Sequence, residues 1–284
     1  MNLRLLTPAD ESLLEEFLAS HRDSSMFLRA NARRAGLTYR GKPFQAIYAA
    51  AFHDDRMIGV AAHCWNGIVL VQAPEQTGEL ARACVEWSGR SVTGLSGPLA
   101  QVRLARAALG LAGVATALEG DDEWLYTLDL SELVVPTALS NGAIVCRAPR
   151  PDERDMLCRW RLAYDIETLG AIDSEEHRRR SAEFLDAQIT DGNVWVAVDA
   201  GRLVSLSAFN ATLPDIVQLG GIYTPPELRG RGYAKIAVAA SLLAARQTGV
   251  SRAVLFTSNP SAARSYEALG FRRVGDYSLV LLKE

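Results

Sequence analysis

The sequence predicts an α/β (α+β) chain made of two tandem halves of one pattern. From Asp191 to Phe271, strand-like runs alternate with helix-like ones in the order strand, strand, strand, helix, strand, helix. Shorter matches in the same order run through the first half. Between the halves, Leu128–Asn141 holds Pro136, Ser140 and Asn141 between two apolar runs. That stretch reads as a join, with residues 1–136 on one side and 137–284 on the other.

Each element of the second half has a local reason. Asp191–Asp199 and Arg202–Asn210 read as strands joined by a tight turn at Ala200-Gly201. Ile216–Thr224 is a third strand, and Gly220-Gly221 inside it predicts a bulge. Pro225-Pro226 ends that strand, because neither residue can donate to a ladder. Tyr233–Thr248 is a helix, apolar at Ile236, Ala237, Ala240, Leu243 and Ala244, and it stops at Gly249. Ala253–Thr257 is a buried strand. Asn259-Pro260 opens the last helix, with Asn as its N-cap and Pro at its first position. Upstream, Asp152–Leu169 is a helix on which Trp160, Tyr164 and Glu167 fall at i, i+4 and i+7, on one face. Glu175-Glu176-His177, followed by Arg178-Arg179-Arg180, is an exposed helix start of mixed charge.

The turn between the third strand and its helix carries the functional signal. It reads Pro225-Pro-Glu-Leu-Arg-Gly-Arg-Gly-Tyr-Ala-Lys235. The N–H groups of Gly230, Arg231, Gly232, Tyr233 and Ala234 fall at a helix N-terminus, where donors lack partners and the helix dipole favours an anion. Glycines let a ligand approach the backbone there, and Arg229, Arg231 and Lys235 complement phosphate charge. The spacing Arg229-x-x-Gly232-x-Ala234 resembles the pyrophosphate loop of the GNAT N-acetyltransferase superfamily. A second signature follows in order: Asn259, Ala262, Tyr266 and Leu269-Gly270-Phe271 resemble the family's last helix. Both signatures lie within Asn141 to Glu284, where the resemblance is good; over the first half it is faint.

The resemblance implies two GNAT-like domains, each a mixed, mostly antiparallel twisted sheet flanked by helices. It implies acetyl-CoA as co-substrate, without a metal, and acetyl transfer to a primary amine, here of a small molecule. The edge at Ile222-Tyr223-Thr224 would hold the pantetheine arm, residues Arg229 to Lys235 the pyrophosphate, and Asn259 would contact CoA as well as cap its helix. Tyr266 would protonate the leaving thiolate. Family members commonly carry a carboxylate on the strand before the loop, but here the mid-strand residue is Gln218, which cannot take a proton. Asp215 lies at the strand start and Glu227 on the outer turn. Glu167 is the candidate for binding the acceptor ammonium or acting as base; a solvated helix Glu is the other reading. A non-catalytic acyl-CoA sensor and a protein-directed acetyltransferase stay open as alternatives.

The first half repeats the order without the chemistry. Arg56-Met-Ile-Gly-Val60 echoes Arg202-Leu-Val-Ser-Leu206, and Pro74-Glu-Gln-Thr-Gly78 follows the strand Ile68–Gln72 as Pro226-Glu-Leu-Arg-Gly230 follows its own. Ala107-Ala-Leu-Gly-Leu111 matches Glu267-Ala-Leu-Gly-Phe271. This alignment sets Thr77 against Arg229, Leu80 against Gly232 and Arg82 against Ala234, with no Tyr near Arg106. The first domain is therefore expected to bind no acyl-CoA.

Composition limits the alternatives. A net charge of −3 argues against a general nucleic-acid binder. No apolar run approaches the ~18 residues of a membrane span, and the first residues do not read as a signal peptide. Four scattered cysteines without a Cys-x-x-Cys pair fit reduced thiols and a cytoplasmic protein. The Walker pattern Gly-x-x-x-x-Gly-Lys-Ser/Thr is absent.

Overall fold

The computed structural model describes residues 2–283, without the side chains of Asp121 and Asp122. In chain order the elements are β1 (Asn2–Leu5), α1 (Glu11–Ser20), α2 (Met26–Ala35), β2 (Ala46–His53), β3 (Arg56–Cys64), β4 (Ile68–Gln72), α3 (Thr77–Ser88), β5 (Gly94–Pro98), α4 (Leu99–Ala108) and β6 (Thr116–Asp129). There follow α5 (Thr137–Ser140), β7 (Val145–Arg147), α6 (Arg154–Leu169), α7 (Glu175–Thr190), β8 (Val194–Asp199), β9 (Arg202–Thr212) and β10 (Ile216–Tyr223). The last are α8 (Tyr233–Gln247), β11 (Arg252–Thr257), α9 (Pro260–Glu267) and β12 (Arg272–Leu282). Among the described residues no helix is long and apolar enough to cross a membrane.

Two compact units form, but not as two consecutive stretches. The first is Met1–Leu125 with Gly275–Glu284, and the second is Tyr126–Val274. The division expected at 136/137 is corrected in two ways. The join lies within β6, upstream of Pro136, and the last strand leaves the second half to pair with β5 of the first. Tyr277 to Leu281 run antiparallel to Pro98 to Gly94. The reason is non-local. β5 has β4 on one edge only, and its other edge needs a strand that no local turn supplies.

In the first unit β1, β2, β3 and β4 are antiparallel neighbours, and β5 lies parallel to β4. The run Ala46-Ile-Tyr-Ala-Ala-Ala-Phe52 is apolar at every position because this sheet is covered on both faces. Tyr48 and Ala50 pack with Leu14, Leu18 and Leu28 of α1 and α2. The alternate residues Ala49 and Ala51 pack with Leu80, Cys84 and Val102 of α3 and α4.

The second unit repeats the design. β7, β8, β9 and β10 are antiparallel and β11 is parallel to β10. Leu157 of α6 and Leu185 of α7, both fully buried, pack on Val194, Val196, Leu206 and Ala208. Tyr233, Ile236 and Ala237 of α8 cover the other face at Ala197 and Val204. Truncating Leu157 or Leu185 to Ala costs about 2–5 kcal/mol by the usual cavity penalty.

The repeat is real in its elements but not in its loop. Only residues 73–76 separate β4 from α3, whereas 224–232 separate β10 from α8. Helix α3 already begins at Thr77, and its N-cap Gln76 is left-handed (φ 59°), as is the α8 N-cap Gly232 (φ 78°). Gln76, not Leu80, therefore stands at the place of Gly232. Leu80 is a fully buried core residue within the helix.

The four thiols are free, and burial pushes Cys64 and Cys84 up to about 12. Burial also raises Glu123 of β6 to about 7, from an ordinary value of 4.5. Its folded-state pKa lies above the unfolded one, so this group favours folding below pH 4.5 and the benefit is lost as pH rises to 7. Glu123→Gln removes that dependence. Urea unfolding should show the variant gaining about 3 kcal/mol on wild type between pH 4.5 and pH 8; parallel pH profiles would contradict this.

Candidate functional site in the second unit

The site begins where β10 and β11 part. They pair in parallel only through Ile216, Val217 and Gln218 with Arg252, Ala253 and Val254. Beyond Gln218 the register of β10 against β9 shifts twice, the second time between Gly220 and Tyr223. Gly221 adopts φ 67°, which a β-branched or bulky residue resists. The expected bulge is there. It leaves Leu219–Tyr223 of β10 without pairing to β11, so this edge is open along Ile222-Tyr223.

At the end of that edge stands the loop. Pro225 precedes a short 3-10 turn, Pro226–Leu228, and Gly230 and Gly232 both have φ 78°. A Cβ added at either glycine would meet no protein atom within 4 Å. The left-handed backbone favours glycine at these positions, and the space outside them is open. Gly232 caps α8 without any side-chain bond, so the N–H groups of the first turn have no intrahelical partner. Arg231 is exposed, and Ala234 and Lys235 are partly exposed. Tyr233 is buried, and its hydroxyl donates to Asp199, which raises its pKa.

Helix α6 brings its predicted face to this strand. Trp160 meets Tyr223 ring to ring at 6.2 Å. The Tyr223 hydroxyl donates to Glu167 Oε1 at 3.3 Å, and Arg229 Nη2 lies 2.6 Å from Glu167 Oε2. Arg229 Nε also donates to the Thr224 carbonyl at 2.9 Å. Glu167 is therefore tied to the loop arginine. Burial and the Glu167 carboxylate raise the Tyr223 pKa.

Tyr266 of α9 is buried, with its ring edge-on to Phe271 at 6.0 Å. Burial, with a smaller contribution from Tyr164 nearby, pushes its pKa well above the ordinary tyrosine value, so the hydroxyl stays protonated around neutrality. Asn259 caps α9 as expected. Its Oδ1 accepts from the N–H groups of Ser261 (2.8 Å) and Ala262 (3.2 Å).

The other carboxylates lie apart. The Asp215 carbonyl accepts from Ser251 and Arg252 at the opposite end of β10, and Glu227 is exposed beside Arg202. Gln218 is buried, and its Nε2 has no partner. Sequence reasoning missed Arg161, one position from Trp160. It is buried near the bulge and paired with Asp165 (2.8 Å), an i, i+4 spacing that could have marked it.

Comparison with known proteins bears directly on this region. Residues 156–271 match the model of the Acetyltransferase (GNAT) family. This segment is a GNAT acetyltransferase domain. The match spans α6 through the end of α9, and therefore the bulge, the loop and Tyr266. Solved GNAT structures share the fold along the whole chain. A GCN5-related N-acetyltransferase from Sphaerobacter thermophilus is 18% identical over 98% of this chain and 94% of that one, with a TM-score of 0.60. A GNAT-family acetyltransferase from Colwellia psychrerythraea is 14% identical over the full length of both, with a TM-score of 0.55. A tandem GNAT protein from the clavulanic acid biosynthesis pathway is 15% identical over 100% of this chain and 98% of that one, with a TM-score of 0.52. No curated protein matches the sequence. The GNAT family transfers acetyl groups from acetyl-CoA to acceptor amines.

The open backbone of this loop makes a direct prediction. If the loop holds the pyrophosphate of acetyl-CoA, Gly232→Glu adds a repulsion of about 3 kcal/mol, or roughly a hundredfold in affinity. Gly232→Ala shares the backbone strain but not the charge. Calorimetry with acetyl-CoA should separate the two variants; equal affinities would remove the loop from the binding site.

Proposed function

We propose that the second unit is an acyl-CoA-dependent N-acetyltransferase that moves the acetyl group of acetyl-CoA to a primary amine of a small molecule. The observation that carries this reading is the parting of β10 from β11 at Gln218, followed through the 224–232 loop by a helix N-terminus whose first N–H groups have no intrahelical partner. In this reading the open edge at Ile222-Tyr223-Thr224 takes the pantetheine arm. The backbone of Gly230 to Lys235 takes the pyrophosphate, with Arg229, Arg231 and Lys235 adding charge. Asn259, the N-cap of α9, adds a contact to CoA in this reading.

The chemistry is direct transfer. The acceptor ammonium first gives a proton to Glu167, which sits on the Tyr223 and Arg229 side of the cleft. The amine lone pair then attacks the thioester carbonyl carbon, and the C–S bond breaks as the tetrahedral adduct collapses. The nitrogen loses a second proton, the sulfur takes one from Tyr266, and Tyr266 is reprotonated, so one proton in total is released to solvent. Positioning and orientation supply much of the rate. The raised pKa of Tyr266 supports a donor that is protonated when the thiolate forms.

A second reading, a non-catalytic acyl-CoA sensor, draws on Gln218, whose amide stands where a base is common. For the first unit, the short connection 73–76 supports the reading that it holds no acyl-CoA.

Calorimetry with acetyl-CoA, followed by thiol release with a panel of amines, tests the function. Binding with release supports the transferase. Binding without release for any amine favours the sensor, and no binding overturns both. Tyr266→Phe is expected to lower kcat about 10²-fold or more with acetyl-CoA affinity little changed; an unchanged kcat would take Tyr266 out of the mechanism.

A further inference from the structure

A buried arginine faces the bulge from the side of α6. Arg161 is 9% exposed, and its Nη1 lies 3.1 Å from where a Cβ on Gly221 would stand. A Cβ at Gly221 would press on the guanidinium, which would have to give way by a few tenths of an ångström. Its planes are flanked by Tyr164, at 5.2 Å, and Phe184 of α7, at 4.6 Å. Arg161 thus stands beside the open edge of β10, with Tyr164 against its guanidinium.

The arginine is held from behind. Asp165 Oδ1 meets Nη2 at 2.8 Å, while Asp165 Oδ2 accepts from Ser181 Oγ at 2.8 Å and lies 3.3 Å from His177 Nε2. His177 is set there by the Ser174 cap of α7, whose side chain accepts the His177 N–H. One carboxylate is thus shared by a guanidinium, a hydroxyl and an imidazole, and it orients the arginine without using up its donors. A guanidinium has five N–H bonds, and the buried Nε of Arg161 has no partner. Leaving a charged donor unpaired in a buried position is costly unless a ligand supplies the acceptor.

Two opposite charges therefore flank one short stretch of strand. Arg161 stands at Gly221 and Glu167 at Tyr223, two residues on along the bulged end of β10. We propose that Arg161 is a specificity-determining residue that receives a carboxylate of the acceptor, so that the substrate is an amine that also carries a carboxylate, of the amino-acid class. The planar fork suits a carboxylate better than a lone neutral acceptor does. This proposal rests on the acyl-CoA transferase reading above.

The test uses the full chain with saturating acetyl-CoA and thiol release as readout. Glycine, alanine, glutamate, β-alanine and 4-aminobutyrate are compared with their primary amides and with amines of equal length lacking the carboxylate. The expected result is a kcat/KM at least about tenfold higher for a carboxylate-bearing amine than for its amide, the size of one charge-assisted bond. Arg161→Lys keeps a cation beside Asp165 but loses the fork. It should raise KM for the carboxylate-bearing amine about tenfold, with kcat, acetyl-CoA affinity and KM for carboxylate-free amines little changed. Failure of every carboxylate-bearing amine to be acetylated overturns the proposal, whether or not neutral amines react. So does an unchanged KM in Arg161→Lys. Loss of acetyl-CoA binding in the wild-type protein would bring down the transferase reading itself, and this proposal with it.

Discussion

The second unit depends on a pair of parallel strands that pair for three residues and then separate. β10 and β11 are joined through Ile216 to Gln218, and the bulge at Gly220-Gly221 turns β10 away afterwards. The residues of the candidate site are arranged around the resulting gap. The loop and the N-terminus of α8 lie at one end, α6 supplies Trp160, Arg161, Tyr164 and Glu167 on one side, and α9 supplies Tyr266. A regular strand at Gly220-Gly221 would extend the β10 pairing with β11 and remove the gap. A side chain at Gly221 would also push on Arg161. Two adjacent glycines thus serve the backbone bend and the approach of a buried charge.

The glycines of the loop work differently. Gly230 and Gly232 need their freedom for a left-handed backbone, not for room, since nothing of the protein crowds them. The contrast with the first unit is instructive. There Gln76 takes the left-handed cap position without glycine, at a cost of about 1 kcal/mol, and the connection has shrunk to 73–76. The scaffold of strands and covering helices survives this loss because its core, around Leu80, Cys84 and Val102, does not involve the loop.

Local signals are legible in the sequence and long-range ones are not. The Asn259 cap, the stop of α8, the bulge and the shared face of Trp160 and Glu167 follow from short spacings, and the structure has them all. The start of α3 departs from expectation because Pro74 and Pro226 hold equivalent places after their strands, while the loops behind them differ in length. Arg161 escapes sequence reasoning because its burial depends on Asp165, Ser181 and His177, two of which belong to the next helix. The exchange of β12 is a pairing between residues nearly two hundred positions apart, and no periodicity within a strand encodes its partner.

That exchange has a consequence for how the protein is made. Because Gly275–Glu284 complete the first unit, the second is inserted within it, and folding cannot simply follow synthesis. When Leu125 has left the ribosome, β5 still lacks its antiparallel neighbour on one edge, and that edge stays available for wrong pairing while the next 149 residues of the second unit (126–274) are built. At ~5–20 residues per second this wait lasts on the order of ten seconds. The first unit is finished last, so its sheet is sealed only after the second unit has been built.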